Sequence, residues 1–252
     1  MKPSWPETAG GSGEDETLDV WAPANLRLIQ KKGGYRFALD SLLLSDFIRL
    51  KPKDRVLELG TGCGIISLGL FRKYPKIHLV GLELQAGFVD LARRNLNLNQ
   101  AEDRISLVRG DIRSLPYLFR PGSFDAVVTN PPYRPLHTGR INPQSEKALA
   151  RHEIAINLEH LLAASRQVLK KGGRFFLIYP VRRMPALLAL SRQNHLEPKR
   201  LRLVQPLADR EADWVLMEAV KEGGEELKVL PVLAVYEHPG VYSPEVRELL
   251  GR

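Results

Sequence analysis

The chain has 252 residues, 44% hydrophobic and 26% charged, the proportions of a soluble globular protein built as one large domain. No apolar run reaches the roughly 18 to 20 residues of a membrane span, the N-terminus has no apolar signal core, and a single cysteine, Cys63, excludes an internal disulfide and a cysteine-rich zinc site. The net charge is +8, yet residues 1–20 set Lys2 against Glu7, Glu14, Asp15, Glu16 and Asp19, so the remainder carries +12. A cytoplasmic enzyme fits these limits.

Residues 1–20 are rich in Gly, Ser, Pro and acids and read as a disordered acidic tail, with 21–252 as the folded domain. Residues 38–50 have helical spacing of apolar side chains. RVLELG at 55–60 is a short buried strand, 65–73 a helix and IHLVGLEL at 77–84 a second strand. Residues 86–99 form an amphipathic helix with Phe88, Leu91, Ala92 and Leu96 on one face. RISLVRGD at 104–111 and FDAVVTN at 124–130 are the third and fourth strands. A helix over 146–169 is stopped by KKGG, and RFFLIYP is the fifth strand. Residues 183–193 are helical, with Pro185 in the first turn. RLRLVQP and DWVLMEAV read as a closing antiparallel pair. Residues 227–237 can add an edge strand, where Pro231 is tolerable. Alternating strands and helices predict a doubly wound α/β sheet.

Between the first strand and the next helix stands LELGTGCGI, with Gly60, Gly62 and Gly64 alternating. Glycines here permit a tight turn and close backbone approach to a ligand. The sixth position of a dinucleotide fingerprint would be Gly or Ala, and here it is Ile65. Glu58, two residues before Gly60, would repel a pyrophosphate but not an amino group or a sulfonium. The loop therefore favours S-adenosylmethionine over NAD. Glu83 ends the second strand, 23 residues after Gly60, where an acid accepts from ribose hydroxyls. Asp111 ends the third and can accept from an adenine amino group, with Ile112 against the ring. Each acid alone could be a solvated loop residue. Three at the ends of successive parallel strands share the ligand-binding edge of the sheet. Cys63 reads as a small residue in a crowded loop rather than a nucleophile, since no partner base accompanies it.

The fourth strand ends on Asn130, Pro131, Pro132 and Tyr133. Pro132 biases Pro131 to an extended conformation, so the turn is rigid. The Asn130 side-chain carbonyl and the Pro131 backbone carbonyl can together hold one planar NH₂ group. Tyr133 offers a flat face for a base or amide. Accepting both hydrogens of an exocyclic amine favours a tetrahedral nitrogen, with its lone pair aimed at a methyl sulfonium.

VLELGTGCG followed by NPPY resembles the class I S-adenosylmethionine-dependent methyltransferases that modify planar amino nitrogens. The segment KKGGYRFALDSLLLSDFI (31–48), ARHE (150–153) and the C-terminal LAVYEHPGVYSPEVRELL are similar to those of bacterial tRNA(Val) adenine-N6 methyltransferases. The resemblance covers about residues 25–250. It implies a Rossmann-like, doubly wound seven-stranded α/β sheet and a cofactor-closing segment at 25–50. It implies that Tyr35, Phe37 and Asp40 close over the methionine end of the cofactor, S-adenosyl-L-methionine. It further implies that Asn130 and Tyr133 hold a flipped adenine of an RNA substrate, most simply a tRNA anticodon loop.

Between Lys170 and Arg210 the sequence holds ten Lys or Arg and two acids, a region suited to a salt-sensitive grip on RNA. Arg134, Arg140, Lys147 and Arg151, in a basic stretch that departs from the tRNA group, can contact phosphates or stand in a solvated loop. A protein glutamine-N5 methyltransferase is a rival, although such enzymes carry a recognition domain for which about 50 upstream residues are too few. Guanine-N2 and DNA adenine enzymes, and a cofactor- or RNA-binding module without turnover, are further alternatives.

Overall fold

A computed structural model describes residues 16–32, 39–131 and 158–251. In chain order its elements are β1 (Glu16–Trp21), β2 (Leu26–Lys31), α1 (Leu39–Phe47), β3 (Arg55–Leu59), α2 (Ile65–Lys73), β4 (His78–Glu83), α3 (Ala86–Leu98) and β5 (Ile105–Arg109). A 3₁₀ turn at Ile112–Ser114 leads into α4 (Leu115–Leu118), then β6 (Phe124–Thr129), α5 (Leu158–Val168) and β7 (Leu169–Pro180). A second 3₁₀ turn, Val181–Arg183, precedes α6 (Met184–Gln193), β8 (Leu196–Gln205) and β9 (Trp214–Lys221). Short strands β10 (Lys228–Val229), β11 (Leu233–Ala234), β12 (Tyr236–His238) and β13 (Val241–Tyr242) precede α7 (Pro244–Leu250).

The central sheet runs β5-β4-β3-β6-β7-β9-β8. These are the seven strands of a doubly wound sheet. The five from β5 to β7 are parallel, and β9 is antiparallel to both β7 and β8. Two short strands, β10 and β11, line the outer edge of β8 in parallel. The edge strand expected over 227–237 is thus split around Pro231, which has no N–H for the ladder.

The parallel strands are buried on both faces, as such sheets must be. Val56, Val128, Phe176 and Ile178 pack on one face against α1, α2 and α3. Leu57, Val127, Phe175 and Leu177 pack on the other against α5 and α6. Gly69 of α2 lies under α1: a Cβ there would stand 2.5 Å from Ser45 Oγ and 3.0 Å from the Trp21 ring. The chain leaves β3 to one side for β4 and β5, then returns to β6 on its other side. That reversal is the switch point, where the strand ends diverge and ligands bind.

Two expectations need correction. The tail does not extend to residue 20, because Glu16–Trp21 pairs with Leu26–Lys31 in an antiparallel hairpin. The hairpin is tied into the domain by Trp21, whose indole N–H donates to the Leu249 carbonyl at 2.8 Å. Acidic composition hid a strand whose Leu18 and Trp21 are buried. The fifth strand starts earlier than RFFLIYP: α5 ends at Val168, beside KKGG as expected, but Lys170–Gly173 already belong to β7. Residues 1–15 and the first part of that predicted helix, 146–157, lie outside the described residues.

Candidate active site

Gly60, Gly62 and Gly64 have φ of 72°, 55° and 87°, a left-handed run that side chains with a Cβ adopt only with strain. The run folds the chain over the end of β4: the Gly60 and Thr61 amides both donate to the Leu82 carbonyl, at 2.9 and 3.1 Å. No described atom lies within 4 Å of where a Cβ would stand on Gly60 or Gly62, so the outer side of the turn is open to a ligand.

Glu83 closes the turn from β4. Its carboxylate accepts from the Gly62 amide at 2.9 Å and the Gln85 amide at 3.0 Å. Burial raises its pKa despite these bonds. Each oxygen retains lone-pair capacity for a hydroxyl donor, so the acid fits a ribose. Glu58 is placed differently from the expectation. Only 1% exposed, it supports the loop from beneath rather than lining its open side. One carboxylate oxygen accepts from Thr61 Oγ at 2.7 Å and from the Ser67 hydroxyl. Burial pushes its pKa up to about 7.

Asp111 caps the 3₁₀ turn after β5, accepting from the Arg113 amide at 2.8 Å and pairing with the Arg113 guanidinium, which lowers its pKa. Ile112 is partly buried against the core on the α5 side. Cys63 is buried and its thiol is pushed up to about 12 by burial, the reverse of an activated nucleophile.

Across the switch point, Thr129 Oγ donates to the Leu59 carbonyl at 3.0 Å and pins the end of β6 to the end of β3. Asn130 and Pro131 follow directly, one strand away from the glycine turn. The Asn130 amide nitrogen donates to Ser41 Oγ at 2.9 Å. Ser41 is in the first turn of α1, and its own amide donates to Asp40 Oδ1 at 2.7 Å. The fold therefore gathers Gly60, Gly62, Gly64, Glu83, Asp111, Asn130 and Pro131 along one sheet edge, with Asp40 joined to it through Ser41. Tyr35, Phe37 and Tyr133 lie outside the described residues, as do Arg134, Arg140, Lys147 and Arg151.

The sequence itself has relatives that decide the class. The profile of the methyltransferase small domain matches residues 38–193, more than half of the chain. The chain belongs to the methyltransferase small domain family. A tRNA1(Val) (adenine(37)-N6)-methyltransferase of Porphyromonas gingivalis is 29% identical over 237 residues, covering 90% of this chain and 91% of the relative. Another, from a second strain of that species, is 31% identical and covers 75% of both chains. One from Tolumonas auensis is 28% identical over 86% of this chain and 88% of its own. Among solved structures, a predicted O-methyltransferase of Agrobacterium tumefaciens superposes with a TM-score of 0.67 at 19% identity, over 84% of this chain and 95% of that one. A geranyl diphosphate C-methyltransferase of Streptomyces coelicolor, in complex with S-adenosyl-L-homocysteine, gives 0.52 at 16% identity, over 73% and 80%. These two share the fold.

As a member of the family the protein is a methyltransferase, and its cofactor is S-adenosyl-L-methionine. The open outer side of the glycine turn and the buried Glu83 carboxylate fit that group. Among the described residues no cluster of His, Cys, Asp or Glu could hold a metal ion, and no helix is long and apolar enough to cross a membrane.

Sequence reasoning missed Thr61, Ser67, Thr129, Ser41 and Asn95. The Asn95 amide donates to the Cys63 carbonyl of the glycine turn at 2.9 Å and exchanges two hydrogen bonds with the Ile29 backbone in β2. Asn99, one turn later, pairs in the same way with Arg27. Two asparagines four apart, Asn95 in α3 and Asn99 capping its end, thus satisfy the edge of β2, and Asn95 also ties the hairpin to the glycine turn. The spacing alone looks like polar helix surface.

The basic region also needs correction. Of its ten cations, seven are paired with carboxylates: Lys170–Asp125, Lys171–Glu222, Arg174–Asp54, Arg192–Glu197, Arg200–Glu218, Arg202–Glu245 and Arg210–Asp209. Arg174, Arg200 and Arg202 are largely buried in their pairs, while Lys170, Lys171, Arg192 and Arg210 stay on the surface. Lys199 donates to the carbonyls of Gly224 and Glu225. Arg182 and Arg183 have no carboxylate partner among the described residues and follow β7 directly.

Proposed function

We propose that this methyltransferase acts on the N6 amine of an adenine in tRNA, at a base of the anticodon loop. The reading rests on Asn130 and Pro131 standing at the end of β6, one strand from the glycine turn, and the curated relatives that span most of the chain support it. When bound, S-adenosyl-L-methionine supplies a methyl group activated on a sulfonium. The Asn130 side-chain carbonyl and the Pro131 carbonyl accept the two amine hydrogens and turn the nitrogen lone pair toward that methyl. As the N–CH₃ bond forms and the S–CH₃ bond breaks, the nitrogen becomes positive and its hydrogens more acidic. The two acceptors therefore bind the transition state more tightly than the ground state. The proton leaves to water, so no strong general base is needed.

Among the described residues, Arg182 and Arg183 are the proposed phosphate contacts. Thr129 pairs with Leu177 in register, so Pro131 lies near the end of β7 and the two arginines stand in the 3₁₀ turn that follows that strand. An unstacked loop base lowers the cost of eversion.

The test is transfer of labelled methyl from S-adenosyl-L-methionine to total tRNA, total rRNA and a protein extract in parallel, with nucleoside analysis. N6-methyladenosine in tRNA, mapped to the anticodon loop, is the expected result. Label in rRNA or in glutamine would overturn the substrate while keeping the chemistry.

A further inference from the structure

We infer that Ser41 is a positioning residue for methyl transfer, holding the Asn130 amide by its nitrogen end so that its oxygen is presented to the target amine. The inference rests on the proposed role of Asn130. An asparagine amide has an acceptor end and a donor end of almost the same shape, and its χ2 torsion is broad and roughly two-fold. The end of a strand fixes the Asn130 backbone but leaves that torsion open. A wrong rotation would offer the amine an N–H donor where it needs an acceptor.

The structure closes this gap with a residue 89 positions earlier in the chain. Asn130 Nδ2 donates to Ser41 Oγ at 2.9 Å, which turns the carbonyl end away from α1. Ser41 is itself only 4% exposed, so water competes little for the bond. Its backbone is held in the first turn of α1, where the Ser41 amide donates to Asp40 Oδ1. Thr129 Oγ on Leu59 O fixes the residue before Asn130 to the neighbouring strand. Ser41 thus holds the amide itself, and Thr129 the strand end that carries it. The same turn of α1 carries Asp40, which the resemblance puts at the cofactor, so one rigid element adjoins both reactants.

The experiment compares Ser41→Ala, Ser41→Thr, Asn130→Ala and the double variant in tRNA methylation, with cofactor affinity by calorimetry and folding by thermal melts. Ser41→Ala should lower kcat about tenfold to a hundredfold, the scale of a small misplacement at a reacting centre. KM for tRNA and affinity for S-adenosyl-L-methionine should stay near wild type. Ser41→Thr, which keeps the hydroxyl, should restore most of kcat. Adding Ser41→Ala to Asn130→Ala should cost nothing further, since coupled residues are non-additive. If Ser41→Ala does not fold, Ser41→Cys keeps the volume and offers only a weak acceptor, and should show the same loss. Wild-type kcat in Ser41→Ala alongside an inactive Asn130→Ala, or additive losses in the double variant, would overturn the role of Ser41 alone. Full activity in Asn130→Ala would instead overturn the reading of the site. A crystal structure of Ser41→Ala with the Asn130 amide unmoved would also count against the inference, whatever the substrate.

Discussion

The two sides of the switch point are built on different principles. On the β3–β4 side, the proposed cofactor site is mainly backbone, a turn of three left-handed glycines that the Glu83 carboxylate ties together through the Gly62 amide. On the β6 side the proposed acceptors are one amide side chain and one carbonyl; Thr129 pins the strand end before them and Ser41, far away in sequence, holds the amide. Backbone needs little bracing because its geometry is set by glycine and by the sheet. A side-chain amide needs a partner for every free torsion. The contrast teaches that binding and chemistry fail differently: damage to the first side should appear in cofactor affinity, damage to the second in the rate.

The sharpest break of this contrast is Asn130→Ala. It should cost about 2.7–4 kcal/mol at the transition state, a loss of roughly a hundredfold to a thousandfold in single-turnover methyl transfer, with cofactor affinity near normal. A matching loss of affinity would show that the two sides are not separable.

Glu58 sharpens the comparison through stability. Its folded pKa of about 7 lies above its ordinary value of 4.5, so the folded state holds the proton more tightly. The stabilisation is complete below about pH 4.5 and is lost as pH rises through about 7. Glu58→Gln keeps an acceptor for Thr61 and Ser67 without the buried charge. At pH 8 the variant should be more stable than wild type by about 3 kcal/mol, at about 1.4 kcal/mol per pKa unit, and nearly equal at about pH 4. Denaturant melts at the two pH values check this. Parallel pH profiles for the two proteins would remove Glu58 from the account.

Glu83→Ala should weaken binding of S-adenosyl-L-methionine by about 1.5–3 kcal/mol, the range for hydrogen bonds to a charged group. Calorimetry with unchanged affinity would reject the ribose assignment. The smallest effect concerns the grip on RNA. Replacing Arg182 and Arg183 by Glu should reduce the steepness of the log-affinity against log-salt plot by about 1.4, at about 0.7 per phosphate on a single strand. An unchanged slope in anisotropy titrations would place the phosphate contacts elsewhere.

Much of this molecule was legible in order along the chain. Strands β3, β4 and β6, helices α2 and α3 and the antiparallel β8–β9 pair stand within a residue or a few of where periodicity puts them, because their apolar patterns are unbroken. The β1–β2 hairpin was not legible, since an acidic, polar composition resembles a tail until Leu18, Trp21, Leu26 and Leu28 are seen to be buried. The basic region misled for a related reason. A count of cations along the chain says nothing about Asp54, Glu218, Glu222 and Glu245, which come from elsewhere to neutralise them.

The sequence by itself determined the sheet type, the glycine turn, the acid that closes it and the rigid asparagine–proline end of β6, because each is a local pattern whose physics acts within a few residues. Only the tertiary structure decided that Glu58 lies beneath the turn, that Asn95 and Asn99 fasten the hairpin to α3, and that Ser41 grips Asn130. Those bonds join residues 66, 72 and 89 positions apart, or depend on which side of a turn is dry. Proximity of that kind is created by packing the helices on the sheet and is not written in any single stretch of the chain.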